Sequence, residues 1–133
     1  MGEEEQFPRA LGDQEAAVLD WLLAHGFMDA EQLRAQAASV VVTGRCACGC
    51  ASIDLDVEHT LQHTLPGLAA GTPSPVPVQP QIVGDDGQPV GGVLLFLEDG
   101  WLSYLEVYSY REPIPRFPSI DRLALESIRD DNG

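Results

Sequence analysis

Three cysteines fall within nine residues, Arg45–Ile53 "RCACGCASI", and the chain of 133 residues has no others. Three chemistries are open to Cys46, Cys48 and Cys50: a turn built from cysteines, a metal site, or a thiol–disulfide pair. The turn comes first. A three-residue hairpin loop commonly closes on a residue with positive φ, and Ala47-Cys48-Gly49 supplies Gly49 at that place. Cys46 and Cys50 then face each other across two strands, with Thr43 opposite Ile53 and Val41 opposite Leu55. This register predicts a core face of Val41, Thr43, Ile53, Leu55 and Val57. Val40, Val42, Ser52, Asp54 and Asp56 share the other face with the cysteines.

A metal asks for more. Zinc holds its sulfurs at about 2.3 Å and so within about 4 Å of one another, whereas alternate side chains on an extended strand stand nearly 7 Å apart, roughly. A turn at Gly49 could bring two thiols together. His59 and His63, at the i, i+4 spacing of one helix face, could add ligands for zinc or copper. The usual structural zinc pattern is two separated ligand pairs, and one pair here is compressed. Redox chemistry asks that the Cβ atoms of Cys46 and Cys50 approach to about 3.8 Å. No C-x-x-C at a helix start is present to activate a thiol.

The remaining candidate is Glu106, a carboxylate between Tyr104 and Tyr108 on an otherwise apolar strand. If buried, it needs Arg111, Arg45 or a tyrosine hydroxyl as partner. A carboxylate in a cleft is a weak catalytic candidate, and a structural ion pair is the plainer role. No nucleophile elbow, P-loop, H-E-x-x-H or dinucleotide glycine pattern occurs.

The elements that must position these residues divide by period. Asp13 is expected to cap a helix running to about His25, with Gly26 as its stop. Val18, Trp21, Leu22 and His25 form its stripe, widened by Leu19 and Leu23. Asp29 and Gln32 open a shorter helix whose thin apolar stripe predicts a surface position. From Ser39 the period becomes 2. "SVVVTGR" and "ASIDLDV" predict a hairpin around the cysteines. Residues 65–80 are rich in Pro and Gly and predict an extended covering loop or flap. The next strands turn at Asp86-Gly87 and Asp99-Gly100, a three-strand meander. A two-residue turn at Asp99-Gly100 puts Leu94, Phe96, Trp101, Leu105 and Val107 on one face. Val93, Leu95, Leu97, Leu102, Tyr104, Glu106 and Tyr108 then share the other. Both faces are apolar, so these strands should be covered on both sides. The expected fold is α+β: two N-terminal helices, an antiparallel sheet of about five strands, and a short C-terminal helix from about Ser119. Residues 1–12 are expected as a disordered acidic lead, 13–128 as one domain, and 129–133 as a frayed tail.

Charge excludes more than it assigns. Seven arginines, no lysine and 21 acidic residues give a formal net charge of −14. That field repels nucleic-acid phosphate and anionic lipid. It favours a solvated surface or steering toward a basic protein partner. No apolar run reaches the roughly 18–20 residues of a membrane span. The acidic start "MGEEEQFPRA" lacks the basic and apolar regions of a signal peptide, so a cytoplasmic location with reduced thiols is expected.

"RCACGCASIDL" and "GGVLLFLEDGWLSYLEVYSYREPIPRFP" together resemble a family of small bacterial proteins common in actinomycetes, for which no activity is established. The likeness spans about residues 30–125. It rests on Cys46, Cys48, Gly49, Cys50, Leu105, Glu106, Tyr108 and Tyr110, with Ala51 where the family often has proline. It implies kinship and no activity. The expected function is a non-enzymatic interaction domain with a basic protein partner, and a homo-oligomer is compatible with the sequence. The alternative is a zinc- or copper-binding or thiol-active protein using the cysteine cluster. An enzyme built on Glu106 and its tyrosines is a third reading.

Overall fold

Two helices and an antiparallel sheet form, and the helices lie on one face of that sheet. The computed structural model describes residues 6–25, 30–45, 50–57 and 74–125. Helix α1 spans Asp13–Leu23 and α2 spans Ala30–Ala37; strands β1 (Val40–Arg45), β2 (Ile53–Val57), β3 (Gln81–Val83), β4 (Pro89–Glu98), β5 (Trp101–Ser109) and β6 (Leu123–Ala124) follow. The spatial order is β1-β2-β5-β4-β3-β6, and each pair is antiparallel. No helix of the described residues is long and apolar enough to cross a membrane.

The N-cap of helix α1 lies one residue before the expected one. Gly12 is the N-cap and Asp13 is the first helical residue. The cap works from inside the helix, because Gly12 N–H donates to Glu15 Oε1 at 2.7 Å. Asp13 and Glu15 in the first turn also suit the helix dipole. Val18, Leu19, Leu22 and Leu23 are buried, whereas Trp21 is half-buried and His25 is exposed, stacked on Trp21. Arg9 precedes the helix and pairs with the edge of β1, exchanging both backbone hydrogen bonds with Val42 at 3.0 and 2.7 Å. The described end of the acidic lead is therefore tied to the sheet.

Helix α2 keeps Glu31 and Arg34 exposed, as its thin stripe predicts, but is anchored more deeply than a surface helix need be. Leu33 and Gln36 are both completely buried. The reason is polar: the Gln36 amide enters the core and hydrogen-bonds the β4–β5 hairpin, donating to Gly100 O at 3.0 Å and accepting from Leu102 N–H at 2.9 Å. Two side chains are enough to seat a helix of eight residues when one of them also holds backbone.

The β1–β2 register differs from the expected one. Val40 faces Val57, Val41 faces Asp56 and Val42 faces Leu55, with an irregularity between Val42 and Gly44. The expected register would have set Val40 and Val42 against Asp56 and Asp54. The observed one buries Val40 and Val42 with Leu55 and Val57, leaving Val41 half-buried and Thr43 exposed. Hydrophobic burial selects it, since a one-residue slip exchanges the two faces of a strand. The loop 46–49, expected as the three-residue turn, lies outside the described residues.

The Asp99-Gly100 turn is as expected. Both residues have positive φ, 53° and 87°, which is the signature of a type I′ hairpin. Glu98 faces Trp101 and Leu97 faces Leu102, but Phe96 then faces Tyr104, so Ser103 is an extra residue in β5. This bulge reverses the expected faces beyond it. Leu102, Leu105 and Val107 join Val93, Leu95 and Leu97 in the core. Leu94, Phe96, Tyr104, Glu106 and Tyr108 are left half-buried on the outer face, so the second face is not sealed as the first is. The turn at Asp86-Gly87 also forms, with Gly87 at φ 82° and Gly84 N–H bonded to Gln88 O at 2.8 Å.

Residues 74–80, the described part of the Pro/Gly-rich segment, cover neither face. They run along β4 and prolong β3: Ser74 Oγ bonds both backbone groups of Leu97, Val76 N–H meets Leu95 O, and Val93 N–H meets Pro80 O. Pro75 and Pro77 flank the one N–H that this edge uses at Val76, an arrangement prolines permit on an edge strand. The expected C-terminal helix is a single 3-10 turn, Ile120–Arg122, and β6 then docks Leu123 opposite Ile82. Among the described residues the sheet thus has six strands, against the expected five or so. Burial of Leu123 beside Ile82 competes with continuing the helix, and the edge position of β3 offers it a place.

Candidate functional site

The outer face of the sheet gathers the chemistry-bearing residues that the described chain offers. Cys50, Ser52, Tyr104, Glu106, Tyr108 and Arg111 line a hollow of about 270 Å³. Strand β5 supplies Tyr104, Glu106 and Tyr108 because alternate residues share a face, and β2 joins through the Ile53–Leu105 and Asp54–Tyr104 pairs.

Ser52 fixes the floor. It is buried, and its hydroxyl accepts from Val107 N–H at 2.8 Å and donates to Val107 O at 3.3 Å. A side chain thus substitutes for a strand partner just beyond the last β2–β5 pair. Cys50 Sγ lies 3.3 Å from Ser52 Oγ and donates to it. The hydroxyl is therefore committed to backbone and is not presented as a nucleophile. Among the described residues no histidine lines the hollow.

The rim is set by the chain after β5. Ala51 N–H bonds Ile114 O at 2.8 Å, and Arg111 N–H bonds Ser109 Oγ at 3.1 Å. These contacts turn the segment back so that Arg111 and Pro113 stand over β5. Tyr108 lies across Gly92 on β4; a Cβ there would stand 2.3 Å from its hydroxyl. The glycine makes room for the ring. Phe96 and Tyr104 pack at 6.0 Å between centroids, and Tyr108 and Tyr110 at 5.9 Å, both tilted. Tyr110 is 54% exposed and Val90 38%, extending the apolar surface beyond the hollow.

Glu106 is half-buried among these rings rather than sealed in a core. Arg111, one of its expected partners, lines the same hollow, while Arg45 lines a different one. Asp54 pairs across from Tyr104 and Asp56 follows on the same face. Carboxylates interleaved with aromatic faces attract a cationic side chain: the rings through their quadrupole, the carboxylate by direct charge.

No family model, curated protein or solved structure matches this chain. The site must be judged on its own geometry. Of the expected residues, Cys50, Tyr104, Glu106 and Tyr108 come together and Tyr110 stands beside them. Cys46, Cys48, Gly49, His59 and His63 lie outside the described residues. Among the described residues no three His, Cys, Asp or Glu side chains converge as metal ligands. Sequence reasoning offered Arg111 as a partner for Glu106 but missed Ser52 as part of the site. The Ser52 hydroxyl, one residue before β2, carries no local signal, and the fold-back at Ser109 brings Arg111 to the hollow.

Proposed function

We propose that the protein is a non-enzymatic interaction domain whose outer sheet face receives a basic segment of a protein partner. The observation that supports this is the contrast between faces: the helix side is aliphatic and buried, and the outer side is aromatic, half-exposed and acidic. Tyrosine-rich surface of that kind is enriched in interfaces, where rings supply contact area at low entropic cost. Net charge would steer a basic partner from a distance, and Glu106, Asp54 and Asp56 would hold it on arrival.

The test is a photo-crosslinking amino acid placed at Leu94 or Tyr110, with Asp13 as a control on the far side, in cells of the source organism. One discrete adduct from both outer positions, and none from position 13, is expected. The double variant Tyr104→Ala, Glu106→Gln should lower partner affinity by about tenfold or more, as loss of a central ring and charge does. A chain that yields no adduct at either outer position ends this proposal.

A second reading keeps the cysteines as a zinc, copper or thiol site, with Cys50 in the wall of the same hollow as its one supporting observation. Elemental analysis of protein purified without chelator or metal resin decides it. On this reading the native chain carries about one metal ion and Cys50→Ala carries none. Metal-free protein with three titratable thiols removes this reading and leaves the interaction proposal standing.

A further inference from the structure

The outer face has a direction as well as a charge. Along β5, starting at the hairpin, its outer side carries Trp101, Tyr104, Glu106 and Tyr108 in one line. Strand β2 sets Asp54 and Asp56 beside this line, and β4 sets Phe96 and Leu94 against it on the other side. Two hollows open along it. One, of about 230 Å³ at the hairpin end, is walled by Trp101, Asp56 and Glu98. The other is the hollow at Glu106 between Tyr104 and Tyr108.

Each hollow sets carboxylate beside aromatic ring. Among the described residues the side chains of Asp56, Glu98 and Glu106 make no hydrogen bond or ion pair. Arg111 is the one cation in either lining, and it forms no ion pair with Glu106. The strand register fixes how far apart the two hollows stand. Trp101 is opposite Glu98 and Glu106 is opposite Leu94, so four residues of β4 measure the interval. At about 3.3 Å per residue it is roughly 13 Å. The extra residue Ser103 is taken up by the bulge and adds nothing to this length.

We infer that the partner segment is an extended chain laid along β5, carrying two arginines four residues apart. The inference rests on the reading that the outer face receives a basic segment. In an extended chain, residues i and i+4 share a face and stand about 13 Å apart, which matches the two hollows. A helix rises about 1.5 Å per residue, so it reaches 13 Å only near nine residues, with the second side chain turned to the opposite side. A polyproline helix covers the distance in about four residues, but its threefold turn also sends the second side chain off the line. Width agrees with length. The line is one strand wide, with its flanking rows about 4.8 Å away on each side, whereas a helix is roughly 10–12 Å across. Arginine suits these hollows better than lysine, because its plane stacks on a ring while its fork reaches a carboxylate.

Fluorescence anisotropy of labelled peptides, titrated with the full chain, tests the spacing. Two Ser/Thr peptides carry a pair of arginines four or three residues apart, and an Ala-rich helical peptide carries them seven apart. The four-residue spacing is expected to bind saturably and about tenfold more tightly than either of the others. Glu106→Gln and Asp56→Asn should each weaken that peptide by about tenfold, or 1.4 kcal/mol. Glu31→Gln, which removes the same charge from an exposed place on α2, should leave it unchanged. Equal affinity for spacings of three and four, or tighter binding of the helical peptide, overturns the extended chain. So does a loss in Glu31→Gln equal to that in Glu106→Gln, since bulk charge alone would then account for binding. The cross-linking positions Leu94 and Tyr110 separate this inference from the reading beneath it. A discrete adduct there with no peptide bound overturns the inference and leaves a basic partner on the outer face, whereas absence of any adduct ends both.

Discussion

Gly91→Ala is expected to cost about 3 kcal/mol or more and to lower the unfolding temperature by on the order of 10 °C. Gly91 is buried in β4 between Ile82 on β3 and Ser109 on β5. A Cβ there would stand 2.0 Å from the backbone oxygen of Tyr108 and 3.0 Å from Ser109 Cα. Neither atom can swing aside as a side-chain end can, so the strands must separate where β4 joins the two halves of the sheet. Gly92→Ala provides the contrast. The three atoms nearest its Cβ all belong to the Tyr108 side chain, with the hydroxyl at 2.3 Å, and the ring can rotate outward. That variant should lose less stability but displace Tyr108 from the outer face, weakening partner binding more than folding. Gly87→Ala meets nothing within 4 Å and is penalised only by φ 82°, about 1 kcal/mol. Thermal or chemical unfolding of the three variants should rank them Gly91, then Gly92, then Gly87. A Gly91→Ala protein as stable as Gly87→Ala would show that the close approach to Tyr108 O is wrong.

What the sequence told and what it hid separate along physical lines. Asp99-Gly100 and Asp86-Gly87 were legible because a tight turn demands positive φ, and Gly and Asp are among the residues that meet that demand at least cost. The helices and the strand regions were legible from their periods. Register was not. The irregularity at Thr43 and the extra Ser103 leave no local mark, yet each exchanges the faces of the strand beyond it. For that reason Tyr104, Glu106 and Tyr108 could be placed together on one face from spacing alone. Their company could not: Leu94 and Phe96, expected on the opposite face, share theirs, while Leu105 and Val107 lie in the core. Cys50, Ser52 and Arg111 reach Glu106 only through the meeting of β2, β5 and the folded-back segment after Ser109.

Gln36 is the most instructive of the hidden residues, and Gln36→Leu is expected to destabilise the protein by about 2–4 kcal/mol despite keeping an apolar side chain in a buried place. The β2–β5 pairs are Ile53–Leu105 and Asp54–Tyr104, so among the described strands the hairpin end of β5 pairs with β4 alone. There Gly100 O and Leu102 N–H turn toward α2, and the Gln36 amide satisfies both at once, acceptor and donor in one plane. Leucine would fill similar volume but leave both backbone groups buried without a partner, at roughly 1–3 kcal/mol each in the unfavourable case. Gln36→Glu separates geometry from chemistry. It retains the acceptor for Leu102 N–H but, when ionised, loses the donor and sets a charge against Gly100 O. Its stability should therefore fall toward the leucine variant at neutral pH and recover in part in acid, where a protonated carboxyl can again donate. Amide exchange at Leu102 supplies the local readout: protection should drop by at least about tenfold in Gln36→Leu, following an opening cost of 1.4 kcal/mol or more. Unchanged protection with unchanged stability would mean that α2 is held by Leu33 alone. Loss of both would show that one buried amide ties the helical layer to the hairpin whose outer side carries the candidate binding face.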